Sequence, residues 1–174
     1  MDRVLADLDL PVTLTTRASD VTVRRATPSD LPALMALLAD DPISAARGDR
    51  ADTADEGTYA TALRSVLEAP ANDLLVVDDA EGTLVGTLQL TVIPGMARQG
   101  ATRMLVEAVR VSSNQRSGGI GSALMRWVMH EAAPATGATL VQLTSDAARV
   151  DAHRFYTRLG FADSHIGFKY SVGS

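Results

Sequence analysis

Between an alternating apolar stretch that ends at Val111 and a run of helical spacing that starts at Ile120 lies the segment Arg116-Ser117-Gly118-Gly119-Ile120-Gly121. Consecutive glycines let backbone N–H groups converge, and a helix start adds its positive dipole end. Such a bend is suited to a diphosphate or a similar anion. A plain strand-to-helix turn that uses glycine for tight packing accounts for the same residues equally well. Two familiar phosphate loops are excluded. A Walker loop ends in Gly-Lys-Ser/Thr, whereas Gly121 is followed by Ser122-Ala123-Leu124. The dinucleotide fingerprint needs a third small residue where Leu124 stands, and it normally opens a chain rather than lying past its middle.

Among ionisable side chains, Glu107 stands out. Strand alternation puts Leu105, Glu107, Val109 and Val111 on one face, so a carboxylate projects from an apolar stripe. Partial desolvation there would raise its pKa toward the range useful to a base. A charge pair with Arg103 or Arg98 at a sheet edge is the competing reading. Tyr156 lies beside Phe155 on the apolar side of the last predicted helix, where a core aromatic with a satisfied hydroxyl is the plain expectation. His130 reads as solvated, His153 as a surface or phosphate-contacting group, and His165 as a turn residue or a border of a pocket.

These residues need a scaffold, and the chain has one. Its 174 residues are 46% hydrophobic and 21% charged, which suits one soluble domain with a sizeable core. The net charge of −5, without a basic block, disfavours nucleic acid as a partner. With no Cys, disulfide scaffolding, thiolate catalysis and zinc-thiolate sites are excluded, and no metal site is expected. Asp residues interrupt the apolar start, unlike a secretory signal, and apolar runs fall short of the roughly 20 residues of a membrane span. The expectation is a cytoplasmic protein with no membrane partner.

Residues 1–20 read as a tail or an extra strand, and residues 21–174 as the domain proper. Val21 to Arg25 alternates as a strand, and Thr27-Pro28-Ser29-Asp30 signals a helix that Asp40-Asp41-Pro42 stops. Residues 43–57 read as a mobile acidic loop. A short helix around Tyr59 to Leu67 follows, then strands at 74–77, 83–93 and 104–111. After the glycine bend come a helix to about Ala133, a strand at 139–144, a helix at about 150–159, and one or two closing strands within 161–172. The fold class is α/β, a single domain with a mixed, mostly antiparallel sheet of about six or seven strands flanked by about four helices.

The run Glu107-Ala-Val-Arg-Val111 followed by Gln115-Arg116-Ser-Gly-Gly119-Ile-Gly121 resembles the acyl-CoA signature of the GNAT superfamily of N-acetyltransferases. Farther on, Asp151-Ala-His-Arg-Phe-Tyr156-Thr-Arg-Leu-Gly-Phe161 is similar to that family's last helix and its Gly-Phe exit. The likeness covers roughly residues 21–172 and is nearest to a branch of small bacterial acetyltransferases. It implies acetyl-CoA as co-substrate, with the amides of Ser117, Gly118, Gly119, Ile120, Gly121 and Ser122 around its diphosphate. Gln115 and Arg116 belong to the same motif, Arg116 adding charge. The backbone of Val109, Arg110 and Val111 would bond the pantetheine arm like an added strand. An Asn that many relatives place before the last helix is Arg149 here, and Asp146 is a further carboxylate near that helix start.

The resemblance also assigns roles. A free amine with a pKa of about 10.4 must lose a proton before it attacks, and a departing thiolate benefits from a donor. Glu107 is the candidate base and Tyr156, matching the family tyrosine that faces the CoA sulfur, the candidate acid. The expected activity is direct acetyl transfer to a primary amine of a small molecule, with positioning of two bound substrates as the main contribution. The alternatives are a non-catalytic CoA-binding regulatory module and an acetyltransferase acting on protein Lys or N-terminal amines. A homodimer would be in keeping with the family.

Overall fold

The computed structural model describes residues 5–173, so the part of the N-terminal reading that falls on residues 1–4 lies outside the described residues. The chain divides into two compact units, one up to Gln142 and one from Leu143. In the first, the 3-10 turn Leu5–Asp7 leads into β1 (Val12–Thr15) and β2 (Asp20–Arg25). The helices α1 (Leu31–Ala39), α2 (Pro42–Ala46) and α3 (Glu56–Glu68) follow. Then come β3 (Asn72–Asp78), β4 (Leu84–Ile93), β5 (Arg103–Val111) and α4 (Ile120–Trp127), which runs on through a π turn at Val128–Ala132. The strand β6 (Leu140–Leu143) starts at the end of this unit.

The six strands form one sheet in chain order, β1-β2-β3-β4-β5-β6, and the first four pairings are antiparallel. The Thr139 N–H donates to the Thr102 carbonyl at 2.9 Å, which sets the start of β6 beside the start of β5. The two strands therefore run parallel, joined by a crossover through α4, and the sheet is mixed.

Helix α1 starts as its sequence says. Thr27 and Asp30 form a capping box around the turn Pro28–Asp30, with the Thr27 N–H donating to Asp30 Oδ2 at 2.7 Å. Its buried Leu31, Leu34 and Met35 pack with Leu63 of α3 and with Ala26 and Val76, covering one face of β3. The apolar residues Leu75, Leu88, Leu90, Met104 and Val106 are fully buried. Pro42 does more than stop α1. Asp41 accepts from the Ser44 N–H at 2.8 Å and Pro42 opens α2, so part of the expected mobile loop is helical. Within residues 1–20, residues 12–15 form a strand and Leu5 and Leu8 are buried.

The second unit holds the helix α5 (Val150–Arg158). The closing strands expected within residues 161–172 do not form. Residues 161–173 have no regular structure, and Ile166, Phe168, Tyr170 and Val172 are between 83% and 92% exposed. Alternation gives a segment a face suited to a sheet; without a paired edge it is no strand.

Candidate functional site

The glycine bend is built around two left-handed residues. Ser117 has φ 72°, and Gly119, at φ 95°, stands just ahead of Ile120, the first residue of α4. The first in-helix bond runs from the Ala123 N–H to the Gly119 carbonyl at 3.0 Å. The N–H groups of Ile120, Gly121 and Ser122 thus head the helix with no carbonyl of their own to reach, and they point the way the dipole does. Gly118 is engaged locally, its N–H donating to the Gln115 carbonyl at 3.3 Å. Glycine at 119 also answers a packing need: a Cβ there would lie 3.2 Å from the Arg17 nitrogen in the turn between β1 and β2. That turn bonds the bend directly, with the Arg17 N–H donating to the Gly118 carbonyl at 3.1 Å.

Upstream of the bend, β5 carries a bulge. Gln89 opposes Glu107 and Thr87 opposes Arg110, so Leu88 alone faces Ala108 and Val109, and Ala108 takes φ 50°. The simple alternation expected from the sequence is therefore broken. Glu107 and Arg110 share one face, while Val111, opposite Gly86, goes to the other. Nor is Glu107 desolvated as expected; it is exposed. The bulge leaves the β5 backbone at Ala108 and Val109 out of register with β4. On its other side β6, four residues long and starting beside Thr102, extends only along the first half of β5.

Side chains brace this end of β5. The Arg110 guanidinium donates to Ser44 Oγ of α2 at 2.6 Å and to the Val109 carbonyl at 2.9 Å. Asp40, at the end of α1, accepts from the Ser113 N–H at 2.7 Å and from its hydroxyl at 3.0 Å. Those bonds, with Arg116 nearby, hold the Asp40 carboxyl below its ordinary range. Arg116 rests at the same place, 3.9 Å from Asp40 and 3.4 Å from the Val111 carbonyl. Gln115 forms the turn before it, its N–H donating to the Ser112 carbonyl at 2.9 Å. Sequence reasoning missed Asp40 and Ser44, because Asp-Asp-Pro carries a strong helix-stop signal that masks a second role.

In the second unit, Tyr156 on α5 is half-buried. It stacks edge-on with Phe155 at 5.1 Å and Phe161 at 5.7 Å. Asp146 marks the start of that helix: its carboxylate accepts the Ala148 N–H at 2.8 Å, and its carbonyl meets His153 Nε2 at 2.8 Å. Arg149 stands at the N-terminal boundary of α5. His165 meets only the neighbouring Ser164 hydroxyl, at 2.8 Å, among the described residues. No described group of three or more His, Asp or Glu side chains is arranged to hold a metal ion. No helix among the described residues is long and apolar enough to cross a membrane.

Residues 32–161 match the family model described as the acetyltransferase (GNAT) family. A solved structure of a transcriptional regulator from Bacillus halodurans is 39% identical, with a TM-score of 0.81 over 87% of this chain and 99% of that one. An acetyltransferase of Trypanosoma brucei, 23% identical, superposes with a TM-score of 0.66 over 88% of this chain and 100% of its own, a likeness of fold. An aminoalkylphosphonate N-acetyltransferase of Salmonella typhimurium is 49% identical over 49 residues. That match spans 28% of this chain and 31% of the relative's length.

Proposed function

Because the chain belongs to the GNAT family of acetyltransferases, we propose that it moves an acetyl group from acetyl-CoA to the primary amine of a small molecule, by direct attack when both are bound. The observation that carries this reading is the junction of β5 and α4, with a bulged strand on one side and the unpaired first-turn amides of Ile120, Gly121 and Ser122 on the other. Those amides fit a diphosphate, and no side chain is needed to supply the contact. Arg116 adds a positive charge once it turns from Asp40. The open backbone of Ala108 to Val111 fits the amide-bearing pantetheine arm in the manner of an added strand. When bound, acetyl-CoA supplies an activated acyl carbon.

The residues of the chain do the rest. Glu107 stands exposed on the face of β5 that Arg110 shares, so its carboxylate is open to an incoming amine. There it takes the proton that the attacking amine must lose. The amine nitrogen bonds the acyl carbon as the C–S bond breaks, and the electron pair leaves on sulfur. To Tyr156, whose phenol O–H can donate, we assign the protonation of that sulfur. The Salmonella relative's name makes an aminoalkylphosphonate the first acceptor to try.

A second reading is a regulatory module that binds CoA without turnover. The name of the Bacillus halodurans relative favours it. An acceptor screen with acetyl-CoA separates the two. Thiol release with one class among aminophosphonates, aminoglycosides, polyamines, amino acids and peptides supports the transferase. CoA binding by calorimetry with every acceptor silent replaces it with the module, and peptides alone as acceptors would make it a protein acetyltransferase.

A further inference from the structure

Beside Glu107 lies a polar group of side chains that no part of the cofactor reading uses. The sheet register sets Gln89 of β4 directly opposite Glu107 of β5, and Asn72 of β3 directly opposite Thr91 of β4. All four share one face of the sheet, since paired residues and residues two apart project together. This is the face that α1 and α3 cover farther along, at Val76. Asn72 Oδ1 takes two hydrogen bonds, from Thr91 Oγ1 at 2.7 Å and from Gln89 Nε2 at 3.0 Å. Asn72, Gln89 and Thr91 are half-buried, whereas Glu107 is exposed. With its amide nitrogen committed to Asn72, the Gln89 carbonyl oxygen is directed away from that partner, and it has no hydrogen bond among the described residues.

We infer that Gln89 is a substrate-binding residue, whose side-chain carbonyl joins the Glu107 carboxylate in holding the two N–H bonds of a primary amine, with Asn72 and Thr91 as the positioning residues that orient it. The inference rests on the transferase reading above and deepens it. A neutral primary amine has two N–H donors and one lone pair. Two acceptors side by side on neighbouring strands engage both donors and so fix the direction of the lone pair. One acceptor alone would let the amine rotate. As the N–C bond forms and the C–S bond breaks, one proton passes from nitrogen to Glu107, and the other stays on the product amide, held by Gln89. A secondary amine has one N–H and cannot satisfy both acceptors, so the arrangement selects primary amines.

The test uses the full-length chain, the best primary amine from the acceptor screen and its N-methyl derivative. Gln89→Leu is expected to lower kcat/KM for the primary amine about tenfold, the loss of one hydrogen bond to a reacting group. The KM for acetyl-CoA should stay within about twofold. The preference for primary over N-methyl amine should collapse in the same variant, an effect that a merely structural role would not produce. Asn72 supplies the second arm. Asn72→Asp, which can only accept, keeps Gln89 oriented and retains the preference; Asn72→Leu lets the amide rotate and loses it. A Gln89→Leu enzyme with the wild-type preference overturns the inference, as do Asn72→Asp and Asn72→Leu enzymes that behave alike. A wild-type chain that acetylates no amine overturns the premise as well, so the two failures are told apart by the wild type.

Discussion

The glycine bend gives the sharpest perturbation, because two glycines of this chain separate backbone strain from close approach. Gly119 (φ 95°) and Gly82 (φ 78°) both occupy the left-handed region. A side chain costs roughly 1–2 kcal/mol in that conformation wherever it stands. A Cβ on Gly82 meets nothing within 4 Å, whereas one on Gly119 lies 3.2 Å from the Arg17 nitrogen and 3.3 Å from its Cγ. Gly82→Ala should therefore lose about 1 kcal/mol of unfolding free energy in urea and bind CoA as the wild type does. Gly119→Ala should lose that and more, since the turn bonded to it must shift by a few tenths of an ångström. The amides of Ile120 to Ser122 move with the bend. A misplacement worth a further 1–2 kcal/mol of binding lowers CoA affinity about five- to thirtyfold. Urea titration and calorimetry with CoA measure the two quantities on the same samples. A Gly119→Ala protein that is destabilised yet binds CoA with wild-type affinity would refute the view that this backbone holds the diphosphate.

Three further outcomes follow from the same geometry. Asp40→Asn weakens the anchor of Ser113 and should raise the KM for acetyl-CoA several-fold with little change in kcat, read by steady-state thiol release; an unchanged KM removes Asp40 from the account. Glu107→Gln and Tyr156→Phe should each lower kcat by about a hundredfold or more, in keeping with the loss of a positioned base or acid, while CoA affinity by calorimetry stays the same. Asp30 is held at about 2, against an ordinary 3.8, chiefly by the hydrogen bond from Arg24. The stability this provides is full above the unfolded value and is lost as pH falls through about 2. Asp30→Asn should cost about 2 kcal/mol at neutral pH, and urea titrations should show the gap to wild type closing on acidification.

Much of the scaffold was legible in the residues themselves. Thr27-Pro28-Ser29-Asp30 carries its own cap, and the helix it announces starts at Leu31. Runs of apolar residues bounded by Asp and Gly gave β3 and β4 to within two residues. The bend of Ser117 to Gly121 needs positive φ at Ser117 and Gly119; the glycine advertises the second need, while nothing in the residue type marks Ser117. Other features depend on partners far along the chain. The bulge at Ala108 is set by pairing with β4, and nothing in Glu107-Ala-Val-Arg110 signals it, so simple alternation puts Val109 and Val111 on the wrong face. Asn72, Gln89 and Thr91 come together only through the register of three strands. Ile166, Phe168, Tyr170 and Val172 alternate as a strand would, but alternation specifies a face and not the edge that must receive it.

Diffraction from crystals soaked in CoA puts the whole account at risk in one experiment. Density for two phosphates within hydrogen-bond reach of the amides of Ile120, Gly121 and Ser122, with the thiol arm lying along Ala108 to Val111, is the predicted result. A carrier bound elsewhere on the chain, with those amides still facing solvent in a saturated crystal, would contradict it.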